Sequence, residues 1–301
     1  MKRHQIPVSI MVPVLACLLP LAAKDAPAQT GSVGAQVKTA ADPQSETIEI
    51  QKVKSEIYVI KGGSGANSGL FAGPVQAVVI DAKMTETSAA DMTVEIRKIT
   101  TNPIRWILLT HSDRDHVNGL SGFSGDAVVL SHEAARKDMD EAFQEEPLRS
   151  RLPSVTFSER ASVYDGSVKV EVYFFGRAHT SGDAVVLFPA DKIALTGDLV
   201  AVGRDPLIHL AKNGTSFGFV KVLRKILELN DDTFIPGHGD VAGRAEIEAE
   251  IENLEEKQAA VKALVDQGKT LDEVKKAFGV QEGGRWMSLV EVIFRELTEK
   301  K

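Results

Sequence analysis

Cysteine is nearly absent from this 301-residue sequence, because its only cysteine is Cys17, inside an apolar N-terminal run. A chain cut after Ala28 would contain none, which excludes disulfide bonds, thiolate metal ligands and a cysteine nucleophile. A surplus of basic residues is also missing, since 35 Lys and Arg stand against 42 Asp and Glu for a net charge of −7. Such a charge argues against nucleic acid as a partner.

Residues 1–28 have the pattern of a secretory signal peptide. Two basic residues precede the apolar run IPVSIMVPVLACLLPLAA, and the A-P-A sequence ending at Ala28 forms a small-residue cleavage site. The run is short for a bilayer span and contains three prolines, so no stable membrane span is expected after cleavage. We therefore expect a periplasmic or secreted protein, with the small and polar residues 29–46 as a flexible lead-in.

Short runs rich in Val and Ile dominate residues 47–242, where glycines separate them. This pattern predicts strands that are buried on both faces. Helical spacing appears between some of the runs, at residues 86–99, 132–146 and 219–229. Strands and helices distributed over two halves predict an α+β fold in which two sheets pack together with helices outside.

Residues 243–301 have a different pattern, charged and free of proline, with apolar residues at helix-face spacing. They predict one long helix followed by two shorter ones, in LDEVKKAFG and MSLVEVIFREL. Trp286 and the Met and Leu residues beside it are expected to belong to a core. Packing on the sandwich is the expected role of this helical extension. A homodimer surface and a cover over the functional site are the alternatives.

Histidines and aspartates gather in turns that follow predicted strands. Strand ends along one sheet edge bring residues from distant parts of a chain together, and glycines in these turns leave room for a metal and a substrate. Imidazole nitrogens and carboxylates are ligands of borderline and hard divalent metals. The pattern therefore predicts a metal site. The residues in such turns are His111, Asp113, Asp115, His116, His179, Asp198 and His238.

The motif H-S-D-R-D-H at residues 111–116 resembles the first motif of the metallo-β-lactamase superfamily, H-x-H-x-D-H. The later elements follow in the superfamily's order, as GRAHTSGD, ALTGDLV and PGHGD. The resemblance covers about residues 50–242 and does not extend to the C-terminal helices. It implies a metal-dependent hydrolase with a four-layer αββα sandwich.

The resemblance also implies two metal positions that share one ligand. His111, Asp113 and His179 would hold the first ion, and Asp115, His116 and His238 the second. Asp198 would bridge the two. Zinc is the first expectation for both ions, with iron or manganese as alternatives. Asp115 would also be catalytic, because it would orient a metal-bound hydroxide and carry a proton to the leaving group.

Asp113 departs from the superfamily motif, because most members have histidine at this place. Its carboxylate would make the first metal position more negative and harder. The leading expectation is an exported dinuclear hydrolase that attacks the carbonyl of a small-molecule lactam, lactone or thioester. A β-lactamase proper is an alternative that Asp113 weakens, since those enzymes have histidine there. An acidic residue at this place also resembles the flavodiiron proteins, so a non-haem iron redox enzyme of that group or a persulfide dioxygenase is the other alternative.

Four polar residues are weaker candidates for contacting the substrate. Asn67 lies in GGSGANSG, which lacks the Gly-Lys-Ser/Thr ending of a phosphate loop and is expected to form a flexible hairpin overhanging the site. His209, Lys212 and Asn213 follow the strand KIALTG in a long loop, and such loops often line substrate pockets. His132 is expected to begin a helix rather than to bind metal.

Overall fold

The computed structural model describes residues 47–281 and 283–299. The signal peptide and the lead-in expected at residues 1–28 and 29–46 lie outside the described residues. Within the described part of the chain, twelve strands form two sheets, and seven α-helices accompany them.

The first sheet contains seven strands that follow one another in the order of the chain. They are β1 (Glu49–Lys54), β2 (Ile57–Lys61), β3 (Ser68–Ala72), β4 (Ala77–Ile80), β5 (Ile104–Leu108), β6 (Val128–His132) and β7 (Val155–Phe157). Neighbours from β1 to β4 pair antiparallel, whereas neighbours from β4 to β7 pair parallel. Parallel strands need crossover connections, and all three of these contain an α-helix.

The second sheet contains five strands in the order β12-β11-β10-β9-β8. They are β8 (Arg160–Asp165), β9 (Val168–Phe174), β10 (Ala184–Phe188), β11 (Ile193–Gly197) and β12 (Thr233–Pro236). β10 is antiparallel to both β9 and β11, and β12 is parallel to β11. The carboxyl ends of β9, β11 and β12 therefore lie on the same side of this sheet, where the chain leaves each strand.

The helices begin at residues that favour helix starts. Thr85, Thr215 and Ser288 each accept a hydrogen bond from a backbone N–H of the first turn, as N-caps do. Among the described residues, no helix combines the length and the apolar character needed to cross a membrane. The helices are α1 (Glu86–Arg97), α2 (Arg114–Val117), α3 (Glu133–Ala142), α4 (Ser216–Glu228), α5 (Arg244–Asp266), α6 (Leu271–Ala277) and α7 (Leu289–Thr298).

Alternating side chains along the strands divide the molecule into four layers. In β4, Val78 joins the core between the two sheets, and Val79 joins the core that contains residues of α1 and α3. In β10, Val186 faces the other sheet, and Leu187 faces the core shared with α4, α5 and α7. The predicted αββα sandwich and its α+β class are confirmed.

The C-terminal helices pack on the outside of the second sheet. Ile247 and Leu254 of α5 and Ile293 of α7 are fully buried in one cluster with Phe219 of α4. The prediction that the extension packs on the sandwich is confirmed, and the homodimer surface stays a prediction.

The expectation that Trp286 belongs to a core is wrong. Its side chain is 54% exposed, and the neighbouring Met287 is 43% exposed. Both precede α7, and the buried face of that helix begins at Leu289. Apolar residues beside an amphipathic helix look like part of its buried face in the sequence, but the turn before the helix directs these two side chains to the surface.

Candidate metal centre

The seven residues predicted as metal ligands lie together at one edge of the sandwich. The turn after β5 and the short helix α2 present the four candidate ligands of the H-S-D-R-D-H motif, which are His111, Asp113, Asp115 and His116, from the first sheet. The loops after β9, β11 and β12 present His179, Asp198 and His238, from the second sheet. The two sheets thus contribute from opposite sides to one cluster.

Glycines allow the turns to approach this closely. A Cβ atom at Gly237 would lie 2.4 Å from Asp198 Oδ1 and 2.6 Å from His116 Cε1. Gly197 has a φ of 52°, and a Cβ atom there would lie 2.5 Å from Thr110 Oγ1. Glycine is needed at both places because any side chain would collide with the cluster or the residues that support it.

Asp115, His116 and His238 form one group, whose candidate ligand atoms lie within 4.8 Å of one another. His238 Nε2 is 3.0 Å from Asp115 Oδ2, and His116 Nε2 is 3.8 Å from the same oxygen. The side chain of His116 is fully buried, whereas those of His238 and Asp115 are 38% and 31% exposed. This group therefore opens to solvent on one side.

His111, His179 and Asp198 form a neighbouring group within the same distance limit. Asp198 Oδ2 lies 3.9 Å from His179 Nε2. The other oxygen, Asp198 Oδ1, lies 3.3 Å from His116 Nε2 and 3.6 Å from His238 Nε2. The Asp198 carboxylate thus stands between the two groups, with one oxygen toward each.

The rings of His116 and His179 are oriented through their Nδ1 atoms. His179 Nδ1 donates to the backbone carbonyl of Leu207 at 2.7 Å, and His116 Nδ1 donates to Asp81 Oδ2 at 2.8 Å. A carbonyl or a carboxylate can only accept, so Nδ1 carries the proton in both rings. Both Nε2 atoms consequently face the cluster, as in histidines that bind metal through Nε2.

Asp81, directly after β4, was not predicted as a site residue. Besides His116, its carboxylate accepts hydrogen bonds from Thr110 N at 2.8 Å and Thr110 Oγ1 at 2.7 Å. Thr110 Oγ1 lies 3.0 Å from His111 Nδ1 and can accept its proton. Asp81 therefore orients His116 directly and His111 through Thr110. The only sequence signal was an aspartate at the end of the buried run QAVVIDA.

Three buried atoms of the cluster have no hydrogen-bond partner among the described residues. They are Nε2 of His111, Nε2 of His116 and Oδ1 of Asp198. The last two are 3.3 Å apart, but without hydrogen-bonding geometry. Buried polar atoms rarely stay unpaired, because each unpaired atom costs about 1–3 kcal/mol. Two imidazole nitrogens and a carboxylate oxygen that converge in this way fit a divalent metal ion.

The electrostatics of the cluster also suit a cation. Burial lowers the pKa of His111, and nearby His116 and His179 lower it further. Burial acts against the His179 imidazolium, but its hydrogen bond to Asp113 and the charge of Asp198 raise its pKa to about 9. Burial likewise opposes ionisation of Asp198, yet the surrounding histidines hold its pKa well below the usual range. A divalent cation would take the place of protons on these imidazoles.

Comparison with known proteins identifies the family. A sequence model of the metallo-beta-lactamase superfamily matches residues 62–238, more than half of the chain. The chain belongs to the metallo-β-lactamase superfamily. Membership implies divalent metal binding and a hydrolase type of fold, in agreement with the clusters described above.

The individual relatives share only low sequence identity with this chain. A Bacillus cereus protein named Metallo-beta-lactamase type 2 is 25% identical over 67% of this chain and 80% of its own length. The 2,4-dinitroanisole O-demethylase subunit alpha of Nocardioides sp. (strain JS1661) is 28% identical over 50% of this chain. The match covers 45% of that subunit's length. A metallo-beta-lactamase structure from Pontibacter korlensis has a TM-score of 0.61 at 20% identity, covering 69% of this chain and 99% of that one.

Asp113, the departure from the superfamily motif, faces two residues of the loop after β11. Lys212 Nζ donates to Asp113 Oδ1 at 2.6 Å, and His209 Nε2 lies 2.8 Å from Asp113 Oδ2. His179 Nε2 is 3.1 Å and His111 Nε2 is 3.8 Å from that same oxygen. Asp113, His179 and His209 form a third group of candidate ligand atoms within 4.8 Å.

Two of the four candidate substrate contacts, Asn67 and Asn213, have clear structural surroundings, and their contact with a substrate stays a prediction. Asn67 Nδ2 donates to the carbonyls of Pro236 and Gly239, at 3.0 and 2.9 Å, and so supports the turn that contains His238. Asn213 is exposed and has the left-handed backbone conformation, with a φ of 55°, at the end of a short 3₁₀ turn. Asparagine tolerates this conformation better than most residues.

The glycine-rich loop between β2 and β3 forms the predicted hairpin and is attached to the site. Ala66 N donates to the carbonyl of Asp115 at 3.1 Å, and Asn67 N donates to the carbonyl of Gly237 at 2.7 Å. The buried Lys83 donates through Nζ to the Ala66 carbonyl at 2.7 Å. Hydrogen bonds from three directions thus hold the loop against both turns that carry candidate metal ligands, so the expected overhang is replaced by a packed support.

His132 begins a helix, as predicted. It is the N-cap of α3, where its Nδ1 accepts from Ala134 N at 3.2 Å. Its Nε2 lies 3.1 Å from the carbonyl of Ser158, so it is the protonated nitrogen. Both nitrogens are therefore used in hydrogen bonds to the backbone.

The C-terminal extension borders the site as well as packing on the sandwich. The indole of Trp286 meets the His209 ring edge-on, with centroids 5.2 Å apart and an interplanar angle of 81°. The guanidinium of Arg285 lies 5.0 Å from the Trp286 ring centroid. Glu296 of α7 accepts hydrogen bonds from the backbone N–H and the hydroxyl of Ser216, at the start of α4. This contact fixes α7 next to the loop that carries His209.

Proposed function

We propose that the protein is an exported hydrolase that holds two divalent ions, zinc in first place, and attacks the carbonyl of a lactam, lactone or thioester. The Asp198 carboxylate carries this proposal, because its two oxygens face two separate groups of histidines. A carboxylate shared by two nitrogen-rich groups is a donor set for a pair of ions. Export is supported by the signal-like residues 1–28.

In this proposal, two divalent ions held by these groups would lower the pKa of a water to about 7 and polarise the substrate carbonyl. Asp115 is the proton carrier of the chain. Its Oδ2 lies 3.0 Å from His238 Nε2, which fixes the carboxylate, and its side chain is 31% exposed on the open side of the site. From there it can orient the attacking water and deliver a proton to a leaving group.

The residues beside His209 suggest which substrates fit. Trp286 offers an exposed aromatic ring beside His209, and Arg285 adds a positive charge on the same side. An apolar surface with a cation next to it suits a small molecule that has an apolar body and an anionic group.

β-Lactams and an aryl ether belong in the substrate test. Relatives named Metallo-beta-lactamase type 2 support the first, although Asp113 weakens it. The O-demethylase subunit, named for 2,4-dinitroanisole, supports the second as a further compound to try.

A non-haem iron redox enzyme is the second candidate function. Asp113, His179 and His209 present one carboxylate and two imidazoles, the ligand set of many iron(II) oxygenases. Iron in the purified protein, together with oxygen consumption, would favour this candidate. Two zinc ions per chain without oxygen consumption would favour the hydrolase.

Metal analysis combined with a substrate panel tests the proposal. The mature chain is purified without chelator, its metal content is measured by mass spectrometry, and lactams, lactones, thioesters, phosphodiesters and 2,4-dinitroanisole are assayed. We expect two divalent ions per chain and turnover of at least one carbonyl substrate, which Asp115→Asn should reduce by about 100-fold or more. A mature chain that binds no divalent metal would contradict the proposal.

A further inference from the structure

Asp113 changes the first metal group in two ways at once. Relative to the superfamily motif, the group lacks one imidazole and gains one negative charge. Either change alone should weaken or alter metal binding, because nitrogen donors and net charge both set the preference of a site. The structure places a partner for each change in the loop after β11.

Lys212 compensates the charge. Its Nζ donates to Asp113 Oδ1 at 2.6 Å and also to the hydroxyl and carbonyl oxygens of Ser112, at 3.0 and 3.3 Å. The Asp113 side chain is only 13% exposed, so this ion pair is poorly screened by water. Together the two side chains have no net charge, as a neutral histidine would. The second oxygen of Asp113 remains directed at His179 and His209.

His209 provides the missing imidazole. Its Nε2 is 2.8 Å from Asp113 Oδ2, and its ring centroid is 4.9 Å from that of His179. The side chain is 16% exposed. The backbone fixes its position, because His209 N donates to the His179 carbonyl at 2.9 Å and the His209 carbonyl accepts from Gly214 N at 2.9 Å. These backbone hydrogen bonds therefore hold His209 beside His179, a residue of the first group.

We propose that Asp113, Lys212 and His209 act as one unit that replaces the histidine of the superfamily motif. His209 contributes the nitrogen ligand, Asp113 contributes a carboxylate oxygen to the same ion, and Lys212 neutralises the added charge. The unit joins the first motif to a loop about 100 residues later in the chain. The inference rests on the metal site of the proposed function and is independent of the substrate.

Metal occupancy of a His209→Ala variant tests this unit directly. We expect occupancy to fall from two ions per chain toward one, or the weaker ion to bind at least about tenfold less tightly in competition with a chelator. With cobalt(II) in place of the native ion, the visible absorption should change, because the ligand set changes. His132→Asn is the matched control, since it removes a histidine outside the site and should leave both readouts unaltered.

Rescue by a second substitution separates a ligand from a residue that only supports Asp113. In the His209→Ala background, Asp113→His should restore occupancy to within a factor of about three, because the motif then has its usual nitrogen. Lys212→Met should weaken metal binding about tenfold beside Asp113 and have little effect beside Asp113→His. Lys221→Met, on the exposed face of α4, is the control for removing a lysine.

Any one of three results would overturn the inference. The first is unchanged metal affinity and an unchanged cobalt spectrum in His209→Ala. The second is failure of Asp113→His to restore metal binding in His209→Ala, and the third is an equal effect of Lys212→Met with Asp113 and with Asp113→His. Circular dichroism and a thermal melt of each variant show whether it is folded. A wild-type chain that binds no metal would instead contradict the proposed function, so the two failures are distinguishable.

Discussion

The two histidine groups of the metal centre are supported in different ways. Around His116, support comes from within the first sheet, because Asp81 at the end of the adjacent strand holds the ring. Around His179, support comes from the loop after β11, where the Leu207 carbonyl holds the ring and His209 and Lys212 face Asp113. One group depends on strand ends and the other on a long loop.

This difference shows why a motif cannot be interpreted one letter at a time. Asp113 looks like a defect in the first group if only residues 111–116 are considered. With the loop included, the group again has three histidines, from positions 111, 179 and 209, around a carboxylate whose charge is matched. A loop can vary together with a motif that it contacts, whereas strand ends offer less freedom.

Removing Asp198 should affect metal binding in both histidine groups, because its carboxylate faces both of them. Asp198→Ala is expected to weaken binding of both ions by more than about 100-fold, a larger effect than changes to residues outside the ligand set. Mass spectrometry and chelator competition measure it. Loss of only one ion would show that Asp198 belongs to a single group. Asp126→Ala, at an exposed aspartate, should have no effect.

A substitution at Asp81 should affect the two groups unequally. Asp81→Asn leaves the amide in place of the carboxylate that accepts from His116 Nδ1, so we expect metal affinity to fall by about 10- to 100-fold. The ion held by His116 should be lost first, since His111 is supported only indirectly, through Thr110. Equal losses, followed through cobalt spectra during chelator titration, would contradict the proposed division of support.

Sequence patterns predicted most of the fold. Val- and Ile-rich runs indicated the central strands, and apolar spacing indicated α5, because burial on one or two faces leaves a periodic record. β3 was not predicted, since it contains Gly69. A Cβ atom there would lie 2.2 Å from Leu195 Cδ2 of the facing sheet, so this glycine is explained by a long-range contact between the sheets.

Site residues could be predicted where an unusual residue type occurs at an unusual position in the chain. The seven ligand candidates were identified because histidines and aspartates after strands are an unusual combination. Asp81 was missed because an aspartate after a strand is also an ordinary turn residue. The pairing of Lys212 with Asp113 was missed because 99 positions separate them. No local pattern records which loop will contact which turn.

Glu250 is a buried carboxyl group without a histidine partner, unlike the aspartates of the candidate metal centre. Burial raises its pKa to about 7, although Ala201 N donates to it. The folded state therefore keeps a proton that the unfolded state releases above its ordinary pKa, so this group's contribution to stability falls as pH rises from about 4.5 to about 7. Glu250→Gln should equal the wild type near the lower pH.

At pH 8 the Glu250→Gln variant should be more stable than the wild type by about 3 kcal/mol. Urea denaturation of both proteins across this pH range measures the difference. A difference independent of pH would show that the carboxyl is not protonated in the folded state.

The smallest effect on metal binding is expected at His132, a histidine whose two nitrogens both form hydrogen bonds with the backbone. His132→Asn keeps an N-cap side chain for α3 but loses the contact with Ser158 and the stacking of the buried ring on Phe174, so we expect stability to fall by about 1–3 kcal/mol. Metal content should not change. A lower metal content would mean that the site extends farther along the sheet edge than the three groups described here.

The candidate ligands lie at the junction of the two sheets, so a bound ion would have a mechanical consequence. His111 and His116 belong to one sheet, and His179, Asp198 and His238 to the other. An ion held by both sets is a cross-link between two halves of the chain, formed only when the halves are already packed. The energy of metal binding then adds to the stability of the packed state. Proteolysis and unfolding should accordingly begin with separation of this edge once the metal is removed.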